Sequence, residues 1–167
     1  MAPATAPQAQ GAFADASVNA LSFSRTTAEV ALATSWEVRV LAQPGPAARE
    51  LYHFRLGAEW AAAVLLLPSA AVAAASSFLY VRRAADARGR RIKTALRTIN
   101  ALAVAPDGRT ILAAGRPGLV QTYDVETWRP GASYDFDVGA IHAAAYAPDG
   151  CTFALGADRG LVLCDLD

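Results

Sequence analysis

At 167 residues the chain is long enough to bury one sizeable core. It is 54% hydrophobic, but 40 of its residues are alanine, so its apolar content is small-sided. A formal net charge of zero excludes a global attraction to nucleic acid or membranes, and two cysteines, Cys151 and Cys164, are too few for a disulfide framework and match no metal-ligand spacing.

Residues 1–9 are rich in Ala, Pro and Gln, without the basic start and apolar run of a secretory signal, and are expected to form a flexible leader. From Val18, "VNALSFSRTTAEVALATSWEVRVLA" carries three short apolar runs separated by polar residues. The next feature is "WAAAVLLLPSAAVAAASSFLYV", Trp60 to Val81, an unbroken run without a charge and followed by Arg82 and Arg83. Taken alone it suits a single membrane-spanning helix over 60–81, with aromatic ends and a basic flank. Its eight strongly apolar residues favour insertion by only about 2.4–4.8 kcal/mol in all. Pro68 and three serines oppose that, so hydropathy alone leaves helix and strands open. The segment "RRAADARGRRIKTALR", 82–97, then sets six arginines and Lys93, the only lysine, against Asp86.

The last two units are repeats of each other. "INALAVAPDGRTILAAG" from Ile99 aligns with "IHAAAYAPDGCTFALGA" from Ile141, and "GLVQTYDVE" from Gly118 with "GLVLCDLD" from Gly160. The same frame extends backwards, placing "AAAVLLLP" on "INALAVAP" and Pro68 in register with Pro106 and Pro148. Arg25 holds the same place in the first unit, so the four positions recur at nearly even intervals. A period of about 41 residues with three apolar runs per unit fits the blade of a propeller. The uncharged stretch then becomes two inner strands of a second unit, broken at Pro68-Ser69, with "FLYV" as the third strand. Strands covered on both faces lose the usual polar alternation.

With Asp107-Gly108 and Asp149-Gly150 at hairpin turns, and Tyr123-Asp124 and Cys164-Asp165 closing third strands, residues 10–167 resemble the WD40-repeat family. Those pairs sit where that family has its "SPDG" turn and its Trp-Asp dipeptide. The Asp-Gly pairs suit a tight turn that needs positive φ. No Gly-His dipeptide is present, and Gly57-Ala58 and Val138-Gly139 are the nearest equivalents. The family's buried Trp–Ser/Thr–His–Asp network is therefore incomplete in every unit. A finer similarity links "VNALSFS…ALATSWEVRV" to the first blade of the mitotic-checkpoint and mRNA-export WD proteins.

The resemblance implies an all-β, WD40-like β-propeller of about four blades, at 18–56, 57–97, 98–138 and 139–167. The last lacks an outer strand, which residues 10–15, "QGAFAD", would supply on closure. A small closed ring, half of a dimeric ring and a fragment of a larger propeller all fit this count.

No catalytic motif of the elbow, phosphate-loop or zincin type occurs. His53, in an outer strand, is expected at the surface, and His142 in a satisfied structural role. Cys151 and Cys164 are expected as small buried hydrophobes, and Trp128 as a packing residue. In a propeller the loops between second and third strands share one face. Trp36, Glu37, Arg116, Asp158 and Arg159 fall in those loops and are the candidate partner-binding residues. Arg82, Arg83, Arg88, Arg90, Arg91 and Lys93 are the candidate polyanion-binding residues, since guanidinium forks suit phosphate. Against that, charge on edge strands discourages sheet-to-sheet aggregation.

The expected function is therefore a non-catalytic protein–protein interaction scaffold in the cytoplasm or nucleus, needing no cofactor or metal, with a homodimer among its assemblies. The alternatives are a module binding nucleic acid or anionic lipid through the arginine-rich hairpin, and the single-span membrane protein.

Overall fold

The computed structural model describes residues 17–24, 26–42, 48–57 and 59–166. The proposed leader 1–9 and closing strand 10–15 lie outside these residues.

The described chain is all β, folded as four antiparallel sheets in which strands pair in chain order. Sheet I comprises β1 (Ala20–Phe23), β2 (Glu29–Ala33), β3 (Glu37–Ala42) and β4 (Arg49–Arg55). Sheet II comprises β5 (Ala61–Leu66), β6 (Ala70–Ala75), β7 (Phe78–Arg83) and β8 (Arg90–Lys93). Sheet III comprises β9 (Thr98–Val104), β10 (Thr110–Arg116), β11 (Leu119–Asp124) and β12 (Pro130–Asp135). Sheet IV has three strands, β13 (Ile141–Tyr146), β14 (Thr152–Ala157) and β15 (Gly160–Asp165).

The uncharged stretch does not form the helix over 60–81 that was the alternative reading. It is divided into β5, β6 and most of β7, and among the described residues no helix is long and apolar enough to cross a membrane. The physical reason lies in β6. All six of its residues are buried, because sheet I covers one face and sheet III the other. A strand with both faces covered needs no polar alternation. Ser76 and Ser77 form the two-residue turn into β7, with Ser76 at φ 50.

The Asp-Gly turns form as their chemistry requires. Gly108 and Gly150 adopt φ +72 and +77 and donate to the carbonyls of Ala105 and Ala147. The carboxylates of Asp107 and Asp149 accept from the backbone N–H groups two residues on, at 2.9 Å. These side chains replace partners that a reversing backbone cannot supply.

Consecutive sheets pack through their first strands, β1 against β5, β5 against β9 and β9 against β13. Among the described residues no comparable packing links β13 back to β1. Between sheets I and II, Ala31, Ala33 and Val40 meet Val64, Leu66 and Ala73. Between II and III, Val72, Ala74 and Leu79 meet Leu102, Ile111 and Tyr123, with Trp128 buried beside them. Between III and IV, Phe153 is fully buried, with Tyr146, Tyr134 and Phe136 centred 5.9, 6.2 and 6.3 Å from its ring.

Cys164 is half-buried and packs against this third core, but Cys151 is exposed, contrary to expectation. Its N–H is held by Asp149 at the turn, which leaves its side chain on the turn's outer surface.

Candidate functional site

One end of the sheets is stitched by backbone hydrogen bonds. At or beside each turn between second and third strands, a backbone bond reaches a segment that crosses between adjoining sheets or the first strand it leads into. Leu56 N donates to Trp36 O at 2.7 Å and Ile99 N to Ser76 O at 2.7 Å. Arg97 N donates to Arg116 O at 3.0 Å, and Arg159 N to Val138 O at 3.2 Å. The turns and crossings therefore form a hydrogen-bonded rim at this end of the sheets.

Trp36, in the first of these turns, is 65% exposed. Glu37 is the first residue of β3 rather than a loop residue, and its carboxylate is taken by Arg39, with Nε at 2.6 Å and Nη2 at 2.5 Å. Glu37 thus organises the strand surface. Trp60, 71% exposed, belongs to the crossing from β4 to β5, the same crossing that bonds Trp36 through Leu56. Sequence reasoning absorbed Trp60 into the apolar stretch. Its place immediately before a first strand, outside the alternating core positions, was the signal that could have found it.

The other three predicted rim residues gather where sheets III and IV meet. Arg116 closes β10 rather than lying in the loop. Asp158 and Arg159 are the two turn residues between β14 and β15. Asp158 Oδ2 accepts from Ala140 N at 2.9 Å, and its Oδ1 lies 2.7 Å from His142 Nε2. These two bonds, the His142 bond foremost, hold the Asp158 carboxyl below the usual carboxylate range, with a smaller contribution from the charge of Arg116. Arg159 Nη1 donates to Asp137 O at 2.6 Å and lies 3.3 Å from its carboxylate. His142 is thus paired yet exposed, and His53 is exposed and bonded to Glu50 at 2.7 Å. Among the described residues no group of three or more His, Cys, Asp or Glu converges to hold a metal.

The arginine-rich hairpin builds a second feature, a groove of about 530 Å³ between the outer strands of sheets I and II. Arg82, Arg88, Arg90 and Arg91 line it together with Arg55 of β4. Arg82 Nη1 donates to His53 O, and its guanidinium lies 5.3 Å from the centre of the Tyr52 ring. Its Nε is buried without a partner. Arg91 covers the Phe78 ring at 4.4 Å. Among the described residues none of these five arginines forms an ion pair.

Arg83 and Lys93 take no part in lining the groove. Arg83 Nη2 donates to Glu126 O at 2.8 Å, whereas Lys93 sits 4.6 Å from the Phe78 ring centre and donates to Ser77 Oγ. Arg55 went unrecognised in the sequence because it belongs to a separate, earlier strand, and only the packing of sheet I on sheet II brings it beside Arg82.

The chain matches no protein-family model and no curated protein.

Proposed function

We propose that the four sheets are blades of a WD40-like β-propeller and that the protein acts as a non-catalytic scaffold for other proteins. The strand order within each sheet, the packing of successive sheets through their first strands, and the repeated Ala-Pro-Asp-Gly turns support this architecture. The rim carries the functional reading. Backbone bonds fix its turns, and it presents Trp36, Trp60 and Arg159 outward; aromatic and arginine side chains are the types that dominate partner binding. The test is cross-linking in cells with wild type and with a Trp36→Ala/Trp60→Ala/Arg159→Ser variant. Proteins cross-linked to the wild type and lost in the variant are expected. An identical set for both, or none for either, overturns the reading.

A second reading is favoured by one observation, the concave groove lined by five arginines, none of them in an ion pair among the described residues. Such a surface suits phosphate groups of a polyanion. Each phosphate contact would add roughly one unit to the slope of log affinity against log salt. Titration of single-stranded RNA and of anionic vesicles at two salt concentrations tests it. Binding that weakens with salt and falls in both Arg55→Ser and Arg88→Ser/Arg90→Ser is expected. Arg55 lies outside the sequence cluster, so loss in that variant separates a groove from a merely basic hairpin. No binding by the wild type at low salt removes this reading and leaves the scaffold untouched.

A further inference from the structure

The two end sheets carry apolar faces that every internal sheet keeps covered. In β1, Phe23 stands opposite Val30, the second residue of β2, and Leu21 opposite Leu32, the fourth. The equivalent places in sheet II are Leu66, opposite Ala71, and Val64, opposite Ala73. Leu66 and Val64 are 7% and 5% exposed beneath sheet I, whereas Phe23 and Leu21 are 59% and 56% exposed.

The opposite end shows the same contrast. Leu163 and Leu161 stand opposite Ala154 and Gly156, the third and fifth residues of β14. Their equivalents in sheet III, Thr122 and Val120, stand opposite Leu112 and Ala114 and are buried. Leu163 and Leu161 are 69% and 71% exposed. Ala143 and Ala145 of β13 are likewise exposed, whereas Ala101 and Ala103 of β9 are buried.

These two faces are the halves of one junction. Inside the chain, Ala31 and Ala33, the third and fifth residues of β2, give a flat surface that receives Val64 and Leu66 from the next first strand. At the ends, Ala154 and Gly156 give the same flat surface, and Leu21 and Phe23 are the matching bulk from a first strand. Contiguous exposed apolar surface of this kind marks an interaction site. Among the described residues β13 makes no comparable packing with β1 of its own chain, and the face that complements each end is the other end, on another copy.

We propose that two copies associate so that sheet IV of each packs on sheet I of the other, forming two equivalent junctions and a closed set of eight sheets. Such a pair is related by a twofold axis, which closes the assembly at two chains. The interface continues the packing between consecutive sheets, and it stands whether or not the rim or the groove binds anything.

The test is the mass in solution, by light scattering after gel filtration, of the full chain. Wild type is expected at twice the 17.4 kDa chain mass. The variant Leu21→Lys/Phe23→Lys, and separately Leu161→Glu/Leu163→Glu, should each fall to the single-chain mass. All four side chains are exposed in the single chain, so far-ultraviolet circular dichroism should show both variants still folded. An equimolar mixture of the two variants keeps one junction native and places lysines against glutamates in the other, and should recover the doubled mass. A wild type at the single-chain mass at its highest soluble concentration overturns the proposal. So does a doubled mass unaffected by either variant, or an open-ended series of larger assemblies.

Discussion

His142 Nε2 and Asp158 Oδ1 lie 2.7 Å apart, tying the start of β13 to the turn that begins β15. The same carboxylate accepts from Ala140 N, so one side chain secures both the entry to sheet IV and its last hairpin. Both bonds favour the ionised carboxyl and lower its pKa from the ordinary 3.8. A lowered folded-state pKa adds stability that is present above the unfolded value and is lost as pH falls through the folded value.

Replacing Asp158 with Ala should therefore lower the melting temperature at neutral pH. The gap from wild type should close as both are taken below the ordinary carboxylate range. Amide exchange at Ala140 should also quicken in the variant at neutral pH. A pH-independent gap would show that the carboxylate's charge plays no part.

Tyr123 provides the alkaline counterpart. Its ring is buried between sheets II and III, and burial pushes its hydroxyl up from 10.0 to about 12. The raised pKa means that this stability is complete below pH 10 and fades as pH rises through about 12. Absorbance titration should find a tyrosine component that ionises near pH 12. Tyr123→Phe removes the bond to Gln121 Oε1 and should cost about 0.5–1.5 kcal/mol in urea unfolding at neutral pH. It should also abolish the late-ionising component.

Gly115 sits at the bulge where β10 shifts register against β9. A Cβ there would lie 1.9 Å from Thr98 O and 2.9 Å from its carbonyl carbon, so the backbone of β9 would have to move. Gly115→Ala should cost more than about 3 kcal/mol, at the upper end of overpacking. Gly108→Ala is the control: nothing lies within 4 Å, so only the strain of φ +72 counts, about 1–2 kcal/mol. Equal losses for the two would contradict the close approach of β9 and β10.

The three tryptophans should separate cleanly in fluorescence. Trp36 and Trp60 are 65% and 71% exposed, and Trp128 is 4% exposed with φ 59. Iodide should quench the emission of a Trp36→Phe/Trp60→Phe variant far less than that of a Trp128→Phe variant. Comparable quenching of the two would mean that Trp128 is not packed between the sheets.

What the sequence disclosed followed from short-range chemistry. Pro68, Pro106 and Pro148 fall at the turns between first and second strands of three consecutive sheets, and Asp107-Gly108 and Asp149-Gly150 turn as their side chains dictate. Trp128, expected to pack, is buried. The rim divided differently: Trp36, Asp158 and Arg159 lie in their turns, but Glu37 and Arg116 begin and end strands. Strand ends depend on pairing with the neighbouring strand, which local residue type does not reveal. The groove was half visible, since Arg82–Arg91 are contiguous in sequence whereas Arg55 joins them only through packing. Cys151 was misjudged because a residue following a turn and one following a strand start look alike until pairing fixes which way each faces.

The alanine strand at the centre of sheet II has a consequence for motion. Ala70, Ala71, Ala73, Ala74 and Ala75 possess no side-chain torsion beyond a spinning methyl, and Val72 is stiff about its single one. Their ordering on folding costs almost no rotamer freedom, and afterwards they have no alternative rotamers through which the flanking sheets could slide. The middle of the molecule should therefore behave as a rigid spacer, with methyl order parameters near their upper limit. Adjustment to any bound molecule is left to the long side chains at the rim and in the groove.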